Sequence, residues 1–151
     1  MIMKDDYKKH TESGQSVNKK EVARLNRTDC VSKAEEVVLS YINDVKDSKN
    51  RISSTKIRAL LNMVNDIIGN AAGMASIKKS SSLSEDIQSK ILYTRMRFSY
   101  EAGREDKNRR FIEKANILDH LKMIGEDSEY LMIFCRYMES LIGFYKYYSD
   151  N

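Results

Sequence analysis

A run of apolar residues at helical spacing, closed by a glycine, limits what this chain can fold into more than any other feature. It lies in the segment RISSTKIRALLNMVNDIIG, residues 51–69. Its apolar positions recur every three or four residues, so they line one side of an α-helix: Ile57, Leu60, Leu61, Val64, Ile67 and Ile68. Because Ser53 or Ser54 can cap the start and Gly69 suits the end, the segment predicts an amphipathic helix between them.

Four other segments repeat this period and predict an all-α fold, a compact bundle of about five helices. The further predicted helices span about 33–48, 82–102, 107–124 and 128–148. Capping boxes, Ser32 with Glu35 and Ser82 with Glu85, are predicted to start the first two. Gly103 and Gly125 are predicted to end two of them, Asp127 or Ser128 to cap the last, and residues 69–82 to form a connecting loop. The chain has no proline and few of the alternating patterns that strands show.

The length of the chain suits one folded domain. With 151 residues, of which 41% are hydrophobic and 32% charged, it can bury one substantial core. Residues 1–31 are polar, charged and without period, which is typical of a flexible tail. The sequence therefore predicts a flexible basic and polar tail over residues 1–31 and a single helical-bundle domain over residues 32–151.

Charge and cysteine content narrow the class of protein. The formal net charge is +4, with the basic excess in the tail and in residues 51–110, so a polyanionic partner is plausible. Cys30 and Cys135 are too few and too far apart for a disulfide scaffold or a zinc site. No signal peptide or membrane span is evident, so we expect a cytoplasmic protein that contacts no membrane.

Enzyme templates find no match in the sequence. His120 stands alone on a helix and has no Glu-x-x-His partner, whereas Cys135 falls within an apolar stripe where a buried thiol is the simpler reading. No glycine-rich nucleotide fingerprint, serine elbow or zinc spacing is present. We expect no catalytic residue, metal, cofactor or small-molecule substrate.

A basic segment, RMRFSYEAGREDKNRR, residues 95–110, is the most informative for function. Arg95 and Arg97 lie on opposite edges of the apolar face of the predicted third helix. Arg104 and Arg110 follow in a predicted loop and first helical turn, where positive charge opposes the helix dipole. Such an arrangement suggests a missing anion, although arginine stems that cover apolar surface, with heads paired to a carboxylate such as Glu101, are the rival explanation.

Two further basic residues, Lys56 and Arg58, flank the core stripe of the second helix. Both lie in its first turn, where the dipole again favours acidic residues. Phosphate oxygens at this position would resolve the conflict, because guanidinium groups and backbone N–H groups both bind them. A surface network of ion pairs is the alternative, and it would contribute little stability.

The predicted third helix also carries a second apolar face. Such a helix is either central in the bundle or shared with a neighbouring subunit. We therefore assign exposed aromatic and apolar residues of this helix and of the C-terminus to a subunit interface. They are Tyr93, Met96, Tyr100, Phe144 and Tyr148.

Two segments resemble the signature motifs of a known family. ISSTKIRALLNMV, residues 52–64, and RMRFSYEAGREDKNRRFIEKA, residues 95–115, are similar to those of the small subunit of type III-A CRISPR effector complexes, the Csm small subunit. YMESLIGFYKYY at the C-terminus also agrees, and the resemblance covers roughly residues 33–148. Met96 occupies a position where the family pattern leads us to expect a proline. We therefore do not expect the helix kink that a proline would cause there.

The resemblance implies a function that composition and spacing alone do not name. It implies a non-catalytic, all-helical subunit that stacks in several copies beside the other Csm subunits and helps hold target RNA on the guide RNA. The residues that match the basic positions of the motifs are implied to bind RNA: Lys56, Arg58, Arg95, Arg97 and Arg104. Arg110 joins them from the basic cluster. Tyr100 and Gly103 also match, and we interpret them as a packing residue and a helix stop.

Two alternatives to this function stay open. A helical adaptor that binds only protein would use its arginines to pair with acidic neighbours and would not bind RNA at physiological salt. A compact DNA-binding domain is the other alternative, although no helix-turn-helix spacing with a polar recognition face is evident. Equal binding of RNA and DNA single strands would favour it.

Overall fold

The computed structural model describes residues 21–149, and the first 20 residues of the predicted tail lie outside this range. The described residues form seven α-helices and one short 3₁₀ turn, Ser48–Asn50. In chain order the helices are α1 (Cys30–Asp44), α2 (Ser54–Ile68), α3 (Ala71–Lys79), α4 (Glu85–Arg104), α5 (Asp106–Lys114), α6 (Ile117–Ile124) and α7 (Ser128–Ser149). The predicted all-α fold is confirmed, whereas the predicted count of five helices is wrong.

One extra helix, α3, occupies most of the segment predicted as a loop. The Asn70 side chain caps it by accepting a hydrogen bond of 2.9 Å from the backbone N–H of Gly73. Ile77 anchors the helix in the core, and Lys78 and Lys79 lie in its last turn, where the dipole favours positive charge. The sequence analysis did not predict this helix, because the small and polar residues of the segment have almost no apolar periodicity.

The other extra helix arises because the segment predicted as one helix, 107–124, is broken. Asn116 adopts a left-handed conformation with φ 53° and ψ 36°, which separates α5 from α6. Asparagine is one of the few residues besides glycine that adopts this conformation readily. A single asparagine within a helical pattern is a weak signal, so periodicity alone did not reveal the break.

The predicted glycine stops have different outcomes. Gly69, with φ 80°, and Gly125, with φ 51°, end α2 and α6 as predicted. Gly103 lies inside α4, which ends one residue later, so this predicted stop is wrong. Side chains of α5 bind the carbonyl groups near the end of α4 instead, and these groups need no glycine to be satisfied.

The predicted helix starts also differ in detail. Helix α1 begins at Cys30 rather than near residue 33, and the Asn26 and Asp29 side chains order the turn that precedes it. The hydroxyl of Ser84, rather than that of Ser82, caps α4 by accepting a hydrogen bond from the N–H of Ile87. Ser53 caps α2 as predicted, at 3.1 Å from the N–H of Lys56.

Helix α7 forms the centre of the bundle. It packs on α1, α2, α3 and α6, whereas α4 packs on α2, α5 and α6. An aromatic cluster of Tyr41, Phe111 and Tyr145 joins α1, α5 and α7, with ring centroids 5.2–6.2 Å apart. Both tyrosine hydroxyls bind the backbone of Ile52, which precedes α2. Burial of these large side chains removes much apolar area from water and stabilises the fold.

The part of the predicted tail that the structure describes, residues 21–29, contacts the bundle. Leu25 is buried, and its N–H donates to the hydroxyl of Tyr130 at 3.2 Å. Arg24 lies over the ring of the same tyrosine and pairs with Asp127 at 2.9 Å. None of the helices in residues 21–149 has the length and apolar character needed to cross a membrane.

Candidate nucleic-acid interface

The start of α2 meets the end of α4 around one carboxylate, Glu101. Lys56 Nζ lies 3.1 Å from Glu101 Oε2, and Arg104 Nη1 lies 3.9 Å from Glu101 Oε1. Asn108 Nδ2 on α5 is 3.4 Å from Glu101 Oε2. Since the Glu101 side chain is only 16% exposed, it holds two cations at the surface while its own oxygens stay largely covered.

Local sequence explains why Lys56 occupies this position. Ser53 starts α2, so Lys56 falls in the first turn of that helix and opposes its dipole. Glu101 compensates for this, because α2 packs on α4 and brings the two side chains together. The anion that we inferred to be missing near Lys56 is therefore supplied in part by the chain itself.

A second group of cations lies on the exposed side of α4. Tyr93, Arg97, Tyr100 and Arg104 are four, three and four positions apart, so the helical repeat places them within a sector of about 60°. We call these four residues the Tyr–Arg stripe. The Arg97 guanidinium is 5.9 Å from the centroid of the Tyr93 ring. Glu101 lies beside the stripe on α4, and because it pairs with Lys56, the stripe also lies close to Lys56.

Three of the six predicted RNA-binding residues thus belong to one surface, namely Lys56, Arg97 and Arg104. We call these three residues the basic track. Two helical turns separate Arg97 from Arg104, and Glu101 links Arg104 to Lys56. The track joins two helices that are distant in sequence, which no local pattern could have revealed.

The other three predicted RNA-binding residues lie apart from the track. Arg58 is exposed on α2, but two residues along a helix correspond to a separation of about 160° from Lys56. By the same rotation Arg95 lies about 160° from Arg97, and both side chains are partly buried. Arg110 belongs to α5 and pairs with Asp106 at 2.9 Å. Burial raises the pKa of Tyr41, and the backbone hydrogen bond from Ile52, followed by the charges of Arg51 and Arg110, lowers it only in part.

The positive charges of residues 104–110 oppose the helix dipoles less than the sequence suggests. Arg104 lies in the last turn of α4, where positive charge is favourable, and Asp106 supplies an acidic residue to the first turn of α5. Arg109 donates through Nε to the carbonyl of Ala102 at 3.2 Å. Arg110 has its own acidic partner, so most of the cluster is compensated within the chain.

The predicted interface residues fall into two groups. Tyr93, Met96 and Tyr100 are all more than half exposed on α4, and Leu92 extends their surface with 64% exposure. Phe144 and Tyr148 on α7 are instead half-buried and stacked, with centroids 6.4 Å apart. The Tyr148 hydroxyl donates to Glu35 on α1 at 3.0 Å, and this hydrogen bond raises the pKa of Tyr148.

Sequence reasoning missed two features of the site. It did not assign Leu92 to the interface, although the same period that selects Met96 also selects Leu92. It considered Glu101 only as a partner for the arginines of its own helix. The pairing with Lys56 depends on how α2 packs on α4, and the sequence offers no signal for that packing.

The reactive side chains that we considered are buried away from this surface. His120 Nδ1 lies 3.0 Å from the Tyr130 hydroxyl, and burial lowers the pKa of His120 to about 4. Burial raises the pKa of Cys135 to about 12, so its thiol stays protonated near neutral pH. Residues 21–149 contain no group of three or more His, Cys, Asp or Glu side chains placed to hold a metal ion.

Comparison with known proteins supports the resemblance seen in the motifs. A family model described as "Csm2 Type III-A" matches residues 24–151. A curated protein of Streptococcus thermophilus, "CRISPR system Cms protein Csm2", is 36% identical over 132 residues, which cover 86% of this chain and 99% of that protein. The match to the family model begins at residue 24, within the segment ahead of α1 that contacts the bundle.

Two other organisms have similar proteins of the same name. The protein of Mycobacterium tuberculosis strain H37Rv is 34% identical over 96 residues, which cover 64% of this chain and 74% of that protein. The protein of Enterococcus italicus is 28% identical over 114 residues, which cover 69% of this chain and 79% of that protein. The similarity therefore extends over most of each relative.

Proposed function

Because this chain belongs to the Csm2 type III-A family, we propose that it is a non-catalytic RNA-binding subunit of a type III-A CRISPR complex. In this function it contacts the backbone of target RNA paired with the guide RNA. The contact positions the strand, and base pairing with the guide supplies the sequence specificity. The protein then needs cations on a surface and no reactive pocket.

The observation that carries this proposal is the convergence of the basic track. Lys56 and Arg104 meet at Glu101, and Arg97 lies on the same side of α4. Lys56 is only partly exposed, whereas Arg104 keeps 60% of its side chain exposed. Guanidinium and ammonium groups held in this way can bind phosphate oxygens through charge-assisted hydrogen bonds.

The subunit also contacts other subunits of the complex and further copies of itself. The exposed apolar side of α4 supports this part of the proposal, because large exposed apolar surfaces mark interaction sites. Phe144 and Tyr148 offer a second surface at the α1–α7 edge. Weak RNA contacts repeated over several copies add through avidity, so one isolated copy is expected to bind RNA weakly and without sequence preference.

A salt series tests the RNA-binding function directly. We would measure fluorescence anisotropy of a generic single-stranded RNA with the wild type and with the variant K56A/R97A/R104A. Each phosphate contact to a single strand contributes about 0.7 to the slope of log K against log salt, so loss of three contacts lowers the slope by about 2. The affinity of the variant near physiological salt should fall by roughly an order of magnitude or more.

The matched control removes three positive charges elsewhere. K46A/K49A/R136A changes exposed residues that lie outside the track and should keep most of the wild-type slope. Circular dichroism should show that both variants stay helical. Equal binding by the two variants would contradict the track. Absence of RNA binding by the wild type would favour the helical adaptor that contacts only protein, which the exposed Leu92 and Met96 also suit.

A further inference from the structure

The Tyr–Arg stripe alternates two kinds of side chain along one side of α4. Tyr93 and Tyr100 lie about 10.5 Å apart along the helix axis, and Arg97 and Arg104 repeat at the same distance. Each arginine follows a tyrosine by one helical turn. A single strand of nucleic acid likewise alternates planar bases with anionic phosphates, so the stripe offers a suitable group for each.

The two tyrosines of the stripe differ from those that support the fold. Tyr93 is 60% exposed and Tyr100 is 64% exposed. Within the described residues, neither hydroxyl has a hydrogen-bond partner. Tyr41, Tyr130 and Tyr137, in contrast, are buried and engage their hydroxyls in hydrogen bonds. The stripe tyrosines therefore leave their rings largely open to solvent and support no other part of the fold through their hydroxyls.

Charge indicates which partner these rings suit. Arg97 lies against Tyr93, and Arg104 and Lys56 border the same surface. The partly covered Glu101 is the acidic residue within this surface, and it is already paired with two cations. A polyanion complements such a surface. Leu92 and Met96, on the neighbouring sector, are exposed apolar side chains that suit a contact with protein.

We propose that Tyr93 and Tyr100 stack on unpaired bases of an RNA strand while Arg97 and Arg104 bind its phosphates. This inference rests on the proposed function and narrows its ligand. Inside a duplex each base is stacked between its neighbours, which covers both of its planes, so rings on a protein surface stack on unpaired nucleotides. Within the proposed function, the ligand is therefore a part of the target strand that is not paired with the guide.

Abasic RNA separates stacking from phosphate binding. We would measure anisotropy with a single-stranded RNA and with an oligomer of the same length and charge whose nucleotides lack bases. If stacking contributes as it does at other single-strand sites, the wild type should prefer the normal strand by about fivefold or more. A blunt RNA duplex of equal length should also bind more weakly than the single strand.

Three variants identify the residues responsible. Y93L/Y100L should lose the preference for bases and keep the salt slope, because both arginines remain. Y93F/Y100F keeps the rings and should retain the preference. L92A/M96A removes apolar area from the neighbouring sector and should leave the preference unchanged.

Other outcomes would overturn the inference in distinguishable ways. Equal binding of normal and abasic strands, with a steep salt slope, would refute stacking and leave the proposed RNA-binding function intact. An effect of Y93L/Y100L on self-association in sedimentation, with discrimination between the two strands unchanged, would assign the stripe to a protein contact. Absence of binding to both strands would refute the proposed function together with this inference.

Discussion

A single carboxylate controls the charge of the proposed RNA-binding surface. Glu101 pairs with Lys56 and Arg104 and accepts from Asn108. It keeps both cations in place when no ligand is bound, and it also lowers the positive potential that a phosphate meets. Its position therefore orders the surface and at the same time weakens it as an anion site.

Replacement of Glu101 by glutamine should strengthen RNA binding. The amide keeps a hydrogen-bond acceptor for Asn108 but removes one negative charge beside the track. Two unit charges about 4 Å apart interact by about 1 kcal/mol in water, so the affinity should rise by about fivefold at low salt. Anisotropy against a single-stranded RNA would measure this change.

The control for this prediction is Glu36→Gln, which makes the same change of charge on an exposed residue of α1. It should alter affinity much less, because screening weakens charges farther than a Debye length from the ligand. A gain of equal size in both variants would indicate a general effect of net charge. An unchanged affinity in Glu101→Gln would contradict the assigned surface.

At the scale of helices, most errors of the sequence analysis come from how elements end. Gly69 and Gly125 adopt the positive φ values that make glycine a reliable stop signal. Gly103 adopts no such conformation, because side chains of the following helix bind the terminal carbonyl groups of α4. Whether a glycine ends a helix depends on those later residues, and periodicity within one segment does not contain them.

The break at Asn116 can be tested through backbone strain. A left-handed conformation costs a residue with a Cβ atom about 1–2 kcal/mol, and asparagine reduces this cost while glycine avoids it. Asn116→Ala should therefore lower the free energy of unfolding by about 1 kcal/mol, and Asn116→Gly should leave it nearly unchanged. Urea denaturation followed by circular dichroism would measure both.

A companion substitution shows whether the effect is specific to the break. Asn65→Ala changes an exposed residue inside α2 and should be neutral or slightly stabilising, because alanine favours helix. Equal destabilisation by Asn116→Ala and Asn116→Gly would mean that the side chain of Asn116, and not its φ angle, matters.

At the scale of the whole molecule, a buried hydrogen-bonded group joins three parts of the fold. Tyr130 on α7 binds His120 on α6 and accepts from the backbone of Leu25 ahead of α1. The ring of His120 also lies edge-on to Tyr137. Because these contacts bury a neutral imidazole, protonation of His120 is coupled to unfolding of the bundle.

Stability should consequently depend on pH. The pKa of His120 is lowered from 6.5 to about 4 in the folded chain. Below pH 6.5 His120 becomes protonated in the unfolded chain, whereas in the folded chain it stays neutral down to about pH 4. The stabilisation is complete above pH 6.5 and falls as the pH drops towards 4, by on the order of 3 kcal/mol.

Urea denaturation of the wild type and of His120→Gln at pH 7.5, 6 and 5 would measure this dependence. Glutamine does not titrate and can still bind the Tyr130 hydroxyl, so the variant should lose less stability than the wild type across this range. Parallel curves for the two proteins would exclude His120 as the source.

Sequence alone predicted the fold class, the amphipathic face of α2 and the end of α6, because each depends on a local signal. It did not predict α3, whose residues have almost no apolar period, or the pairing of Lys56 with Glu101. It assigned six basic residues to RNA binding, and the structure places three of them on the basic track and three elsewhere. Which charges share a surface depends on helix phase and on the packing of α2 on α4, and the second of these has no local signal.

The paired state of Glu101 also has a kinetic consequence. When an anionic strand leaves, Lys56 and Arg104 can return to a carboxylate that is already in place. The empty surface then contains no unpaired buried charge, so release requires no rearrangement of the helices. In the proposed function we therefore expect the subunit to exchange its strand quickly, and long residence times to come from neighbouring contacts that still hold the strand.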